Sequence, residues 1–147
     1  MTFAQQVGVL LLLALVVLAT IFWVFGSDKS VDSIWLGVVS VAPVEFQNHL
    51  LRDPSRILLD IRTPQEFHGG HLSRAINLDY YNPSFTQQLD QLDRDTPIAI
   101  YCRSGSRSSN TLTIMKGMGF TNVIELQGGV LAWQEDFDET VCPGRVC

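Results

Sequence analysis

One cysteine, two arginines, three serines and a glycine stand together in the run Cys102, Arg103, Ser104, Gly105, Ser106, Arg107 and Ser108, directly after the apolar segment 98–101. Small residues let successive backbone N–H groups turn inward, and a helix starting just beyond them adds partial positive charge, so the run can cradle an anion. Arg103 and Arg107 add full charges. A thiol at the head of such a cradle is favoured as the thiolate, which is the form that attacks. Facing an anion site, it suits attack on an anionic sulfur donor. An ordinary buried cysteine at a strand end would account for the thiol, but not for the arginines, serines and glycine that follow it. Arg103 taken alone reads equally well as a solvated loop residue.

The segments that must position this run alternate between strand-like and helix-like patterns. Strands are expected at Val38–Val41, Ile57–Asp60, Ala75–Leu78, Ile98–Tyr101 and Val123–Leu126, most of them short, apolar and β-branched. Helical stretches fall between them, at Pro43–Leu51, Pro64–Phe67, Phe85–Leu92 and Ser108–Met118, with a short turn at Val130–Trp133. That alternation implies a parallel sheet. Thr63, Pro64 and Glu66 form a capping-box pattern with proline at the first helical position, and Gly117 and Gly119 suit a helix ending nearby. In an open parallel sheet, reactive groups gather beyond the carboxyl ends of the strands, which is where 60–62, 77–79 and 102–108 all fall.

Over roughly 38–136 the sequence resembles the rhodanese family. The resemblance is carried by several motifs in order: 59–67 (Leu-Asp-Ile-Arg-Thr-Pro-Gln-Glu-Phe), Gly70-His71-Leu72 leading to 75–78, the loop 102–108, Gly119-Phe120, and Gly128-Gly129 ahead of Ala132-Trp133. It implies a doubly wound α/β domain with a five-stranded parallel sheet. In such a domain Cys102 attacks the outer sulfur of a donor such as thiosulfate, carries it as a persulfide and passes it to a thiol or cyanide acceptor. The loop amides from Arg103 to Ser108 would cradle the persulfide, and Arg107 would help hold the donor anion. Asp60 and Arg62 lie near the loop in the family as structural ion pairs, a role equally open to Glu66. His71 is a structural histidine by the same resemblance, not a base for Cys102.

Two other functions compete. Cysteine-dependent phosphatases and arsenate reductases use a related loop, but the phosphatases place arginine six positions after cysteine. Here Arg107 follows by five, and the loop holds no carboxylic acid to protonate a leaving oxygen. A rhodanese module that only binds a partner typically lacks the cysteine, which this chain keeps.

Composition narrows the remainder. With 10 Lys and Arg against 15 Asp and Glu, and no basic run, nothing points to nucleic acid. Three cysteines without paired spacing or histidine partners make neither a disulfide framework nor a zinc site, so no metal or cofactor is expected. Residues 7–25 carry no charge and are apolar on every face. As a helix they would reach about 28 Å, near the roughly 30 Å of a bilayer core. The expected organisation is a single-pass anchor at 1–27, a linker at 28–37, the domain at 38–137 and a tail at 138–147. Trp23 and Trp35 suit an interface. A cleaved signal peptide is the competitor, although the first residues lack the positive charge such signals carry. Lys29, the one basic residue near either end of the span, leans the domain toward the cytoplasmic side. In the tail, Cys142 and Cys147 could close a small disulfide, receive sulfur from Cys102, or do neither.

Overall fold

The computed structural model describes residues 37–137. The anchor expected over 7–25, Trp23, Trp35 and the Cys142–Cys147 pair lie outside them. Among the described residues no helix is long and apolar enough to cross a membrane. The elements run β1 (Val38–Val41), α1 (Pro43–Arg52), β2 (Ile57–Asp60), α2 (Pro64–His68), β3 (Ile76–Asn77), α3 (Phe85–Asp90), β4 (Ile98–Tyr101), α4 (Ser106–Gly117), β5 (Val123–Leu126) and α5 (Gly129–Asp136). The five strands form one sheet in the order β1-β5-β4-β2-β3, and every pairing is parallel.

Strand β4 lies at the centre and is buried along its whole length, as a run of Ile, Ala, Ile and Tyr demands when both faces of a parallel sheet are covered. Alternate side chains divide the core in two. Ala99 and Tyr101 join Leu58, Ile124 and Leu126 beneath Phe46 of α1 and Val130 and Trp133 of α5. The rings of Phe46 and Trp133 meet edge-on with centroids 6.2 Å apart. Ile98, Ile100 and Cys102 join Leu59, Ile61 and Val123 on the other face, against Phe85 and Leu89 of α3 and Met115 of α4. Each fully buried aliphatic side chain contributes about 1.5–3 kcal/mol, which fixes the register of β4 and hence the position of the cysteine that ends it.

The four longer strands occupy the ranges expected for them. The third is shorter than the expected Ala75–Leu78, because it is an edge strand and Ala75 spends its N–H on a turn to the Leu72 carbonyl. Helix α4 begins at Ser106 rather than Ser108: Gly105 takes a left-handed conformation, with φ of 89°, that turns the chain straight into the helix. Helix α5 continues to Asp136, three residues past the expected turn. Helices α1 and α2 each run one residue beyond expectation, and α3 stops at Asp90, short of the expected Leu92.

Tyr101 links the sheet to the segment before β3, its hydroxyl accepting the Leu72 N–H at 3.0 Å. Replacing Tyr101 by Phe leaves that buried amide without a partner, and we expect a loss of about 1–3 kcal/mol in urea unfolding. An unchanged unfolding midpoint would show that the bond contributes nothing.

Candidate active site

Cys102 follows β4 directly and is 1% exposed. Its sulfur lies on the face of the aliphatic cluster, yet two polar groups reach it. The Gly105 N–H donates to Sγ at 3.2 Å, and Ser108 Oγ stands 3.4 Å away. Both come from the start of α4, where Ser106, Arg107 and Ser108 form the first turn and Ser109 N–H is the first to bond back, to the Gly105 carbonyl. The amides of that first turn have no acceptor within the helix, so their partial positive charge gathers beside the sulfur.

The loop is held from behind by α5. Val130 N–H donates to the Cys102 carbonyl at 2.9 Å and Leu131 N–H to the Arg103 carbonyl at 3.1 Å. This approach requires glycine at 129: a Cβ there would lie 2.5 Å from the Cys102 carbonyl oxygen and 2.6 Å from the Arg103 carbonyl carbon. The Gly128-Gly129 pair noted in the sequence is therefore the packing surface of the cysteine loop.

Arg107, expected to hold a donor anion, points its guanidinium at Glu66. Nη1 donates to Oε2 at 2.9 Å and Nη2 to Oε1 at 2.8 Å, a two-pronged pair that leaves a donor anion to share an occupied cation. The same Glu66 carboxylate completes the capping box of α2, accepting the Thr63 N–H at 2.9 Å while Thr63 Oγ1 accepts the Glu66 N–H at 3.3 Å. Arg107 also lies over the Tyr81 ring, 5.6 Å from its centroid. Arg103, Ser104 and Ser106 are exposed on the outer side of the loop, so Arg103 is the cation facing solvent there.

Asp60 and Arg62 form a buried pair at the end of β2. Arg62 Nε donates to both Asp60 oxygens at 2.9 Å, and Nη2 reaches Asp60 Oδ2 and the Gly70 carbonyl, each at 2.6 Å. The pair ties the Gly70 segment to the sheet beside Tyr101, one residue from the cysteine. His71 donates from Nδ1 to the Phe67 carbonyl at 3.0 Å and stacks on the Phe67 ring with centroids 3.8 Å apart. That is a structural position.

Residues 42–136 match the family model for a rhodanese-like domain. The chain belongs to the rhodanese family. A thiosulfate sulfurtransferase GlpE from Ectopseudomonas mendocina is 32% identical over 104 residues, covering 71% of this chain and 92% of that protein. The Synechocystis protein slr1261 is 38% identical over 99 residues, covering 66% of this chain and 52% of its own. The chain thus spans about half of that relative. Among solved structures, the Alr3790 protein from Anabaena superimposes with a TM-score of 0.60 at 22% identity, covering 68% of this chain and 79% of that one, a likeness of fold.

One site residue escaped the motif reading of this rhodanese domain. Glu125 of β5 is 1% exposed and accepts the Ser108 hydroxyl at 2.5 Å on Oε1 and the Ser40 hydroxyl on Oε2. Its signal was present, because a glutamate inside Val123–Leu126, a strand buried on both faces, needs partners inside the fold.

The Arg107 guanidinium holds the Glu66 carboxyl far below its ordinary value of 4.5, at about 2. Because the folded value is depressed, the pair stabilises the fold fully above the ordinary value and loses that contribution as pH falls toward 2. Both groups are partly exposed, so the effect is about 1 kcal/mol. We expect Glu66→Gln to flatten the acid limb of the stability-against-pH curve by that amount; parallel wild-type and variant curves would contradict the pairing.

Proposed function

We propose that the domain is a sulfurtransferase that moves sulfane sulfur from a thiosulfate-like donor to a nucleophilic acceptor through a Cys102 persulfide. The observation that supports this best is the sulfur itself, buried at a strand end yet receiving the Gly105 amide at the N-terminus of α4. The Cys102 thiolate attacks the outer sulfur of thiosulfate. A new S–S bond forms, the donor's S–S bond breaks with its electron pair, and sulfite departs. The persulfide carries the transferred sulfur as its terminal anion, stabilised by the amides and helix charge that favoured the thiolate. A thiol or cyanide acceptor then takes the outer sulfur and returns the thiolate.

Arg103, exposed at the loop, and Arg107, shared with Glu66, supply the positive field that draws a small anion in. The loop amides from Arg103 to Ser108 bind donor and persulfide, while Asp60 and Arg62 support the loop through the Gly70 segment. The GlpE relatives, named as thiosulfate sulfurtransferases, agree with this choice of donor. On the sequence reading, residues 7–25 tether the domain to a lipid bilayer as a single-pass helix with the domain leaning to the cytoplasmic side. The tail thiols Cys142 and Cys147 are candidate sulfur acceptors on the same reading.

The test is thiocyanate production from thiosulfate and cyanide by the full-length chain, with hydrolysis of a phosphate ester measured beside it. We expect thiocyanate formation from the wild type, its loss in Cys102→Ser, and no ester hydrolysis. Phosphate release that depends on Cys102, without thiocyanate, would replace this reading by the phosphatase one; neither activity would leave a binding module.

A further inference from the structure

Glu125 is a buried carboxyl group with no cation partner among the described residues. Among the described residues the ion pairs are Arg56–Asp53, Arg62–Asp60, Arg94–Asp90 and Arg107–Glu66, and Glu125 is in none of them. Its two oxygens are taken by two hydroxyl groups, and those hydroxyls lead in opposite directions. Ser108, fully buried, connects Oε1 to the Cys102 sulfur. Ser40, an exposed residue on the neighbouring strand, connects Oε2 to solvent. The register of β1, β5 and β4 sets this line, since Ser40 and Ile100 stand opposite Glu125 on either side and share its face of the sheet.

Ser108 has one hydrogen to donate, and three acceptors lie around its Oγ: the Cys102 sulfur at 3.4 Å, the Gly105 carbonyl at 3.1 Å and Glu125 Oε1 at 2.5 Å. Two proton arrangements satisfy the sulfur and the carboxyl group together. In one, Ser108 donates to a Glu125 carboxylate and the Cys102 thiol donates to Ser108 Oγ. In the other, a Glu125 carboxylic acid donates to Ser108 and Ser108 donates to a Cys102 thiolate. Both hold a single negative charge among groups that are at most 1% exposed, whereas two anions so close and so dry would be costly.

We infer that Glu125 is a positioning residue that takes up the Cys102 proton through Ser108, so that the thiolate forms by internal transfer rather than by loss of a proton to water. The step balances. The thiol S–H bond breaks as an O–H bond forms on Ser108 Oγ, the original serine O–H bond breaks as one forms on Glu125 Oε1, and the negative charge passes from carboxylate to sulfur without a change of oxidation state. Ser40 offers Glu125 a route for exchanging that proton with solvent on the side of the sheet edge.

The elements packed around Glu125 bring few other charges to its face. Strand β1 holds no titratable side chain, Tyr101 of β4 belongs to the opposite core, and α4 carries Arg107, paired with Glu66, and Lys116. The loop adds Cys102 and the exposed Arg103. Asp60 is held by Arg62.

The inference deepens the sulfur-transfer reading, and its test is kept independent of turnover. Full-length protein is alkylated with iodoacetamide at a series of pH values around neutrality, and modification of Cys102 is followed by peptide mass. In the wild type the thiolate share is set by the internal partition, so the rate should change by less than about twofold per pH unit. Glu125→Gln keeps the shape and can still bond both serines, but cannot accept the proton. Its rate should rise by about tenfold per pH unit until the thiolate is formed. Ser108→Ala breaks the connection while leaving the carboxyl group in place, and should give the same steep profile if Glu125→Gln folds poorly. Parallel profiles in wild type and folded variants would overturn the inference. Thiocyanate production lost in the wild type with the flat alkylation profile retained would instead remove the sulfur-transfer reading and leave the relay standing.

Discussion

The hydrogen bond from the Gly105 amide to the Cys102 sulfur is the contact on which the site depends. A sulfur 1% exposed among aliphatic side chains is ordinarily an inert core thiol. What separates this one from a filler of the core is a donor aimed at it from the N-cap of a helix. That donor exists only because the chain reverses sharply at Gly105, where a positive φ lets three loop residues become the first turn of α4. The cradle and the helix are one object.

The rest of the domain keeps this object in place through packing, with two ion pairs beside it. Strand β4 is buried on both faces, so its end, and with it the cysteine, has a fixed position. Helix α5 approaches so closely at Gly129 that its first amides bond the Cys102 and Arg103 carbonyls from behind the loop. The two ion pairs nearest the site have different parts. The buried Asp60–Arg62 pair fastens a neighbouring segment, and the Glu66–Arg107 pair spans 41 residues of sequence to hold the mouth of the loop. The second pair also tempers the site, since a guanidinium occupied by a carboxylate attracts an anion less than one facing water alone.

Much of this was legible in the sequence where the physical signal is local. The central strands Ile57–Asp60, Ile98–Tyr101 and Val123–Leu126 announce themselves as short, mostly aliphatic runs, and the Thr63 to Glu66 cap is written in four adjacent residues. The cysteine loop was readable for the same reason. Signals that depend on the third dimension were not. No spacing rule pairs Arg107 with Glu66, and the two-residue edge strand Ile76–Asn77 lacks the length that would set its limits. Glu125 lies in no motif, and only the sheet register and the start of α4 set it between Ser40 and Ser108.

Cys102 as the sulfur carrier is decided by locating the transferred sulfur. Full-length protein is incubated with thiosulfate, digested without reductant, and its cysteine peptides are weighed before and after cyanide. One added sulfur is expected on the peptide containing Cys102, removed by cyanide. Added sulfur on Cys142 or Cys147 with Cys102 unmodified would contradict that assignment.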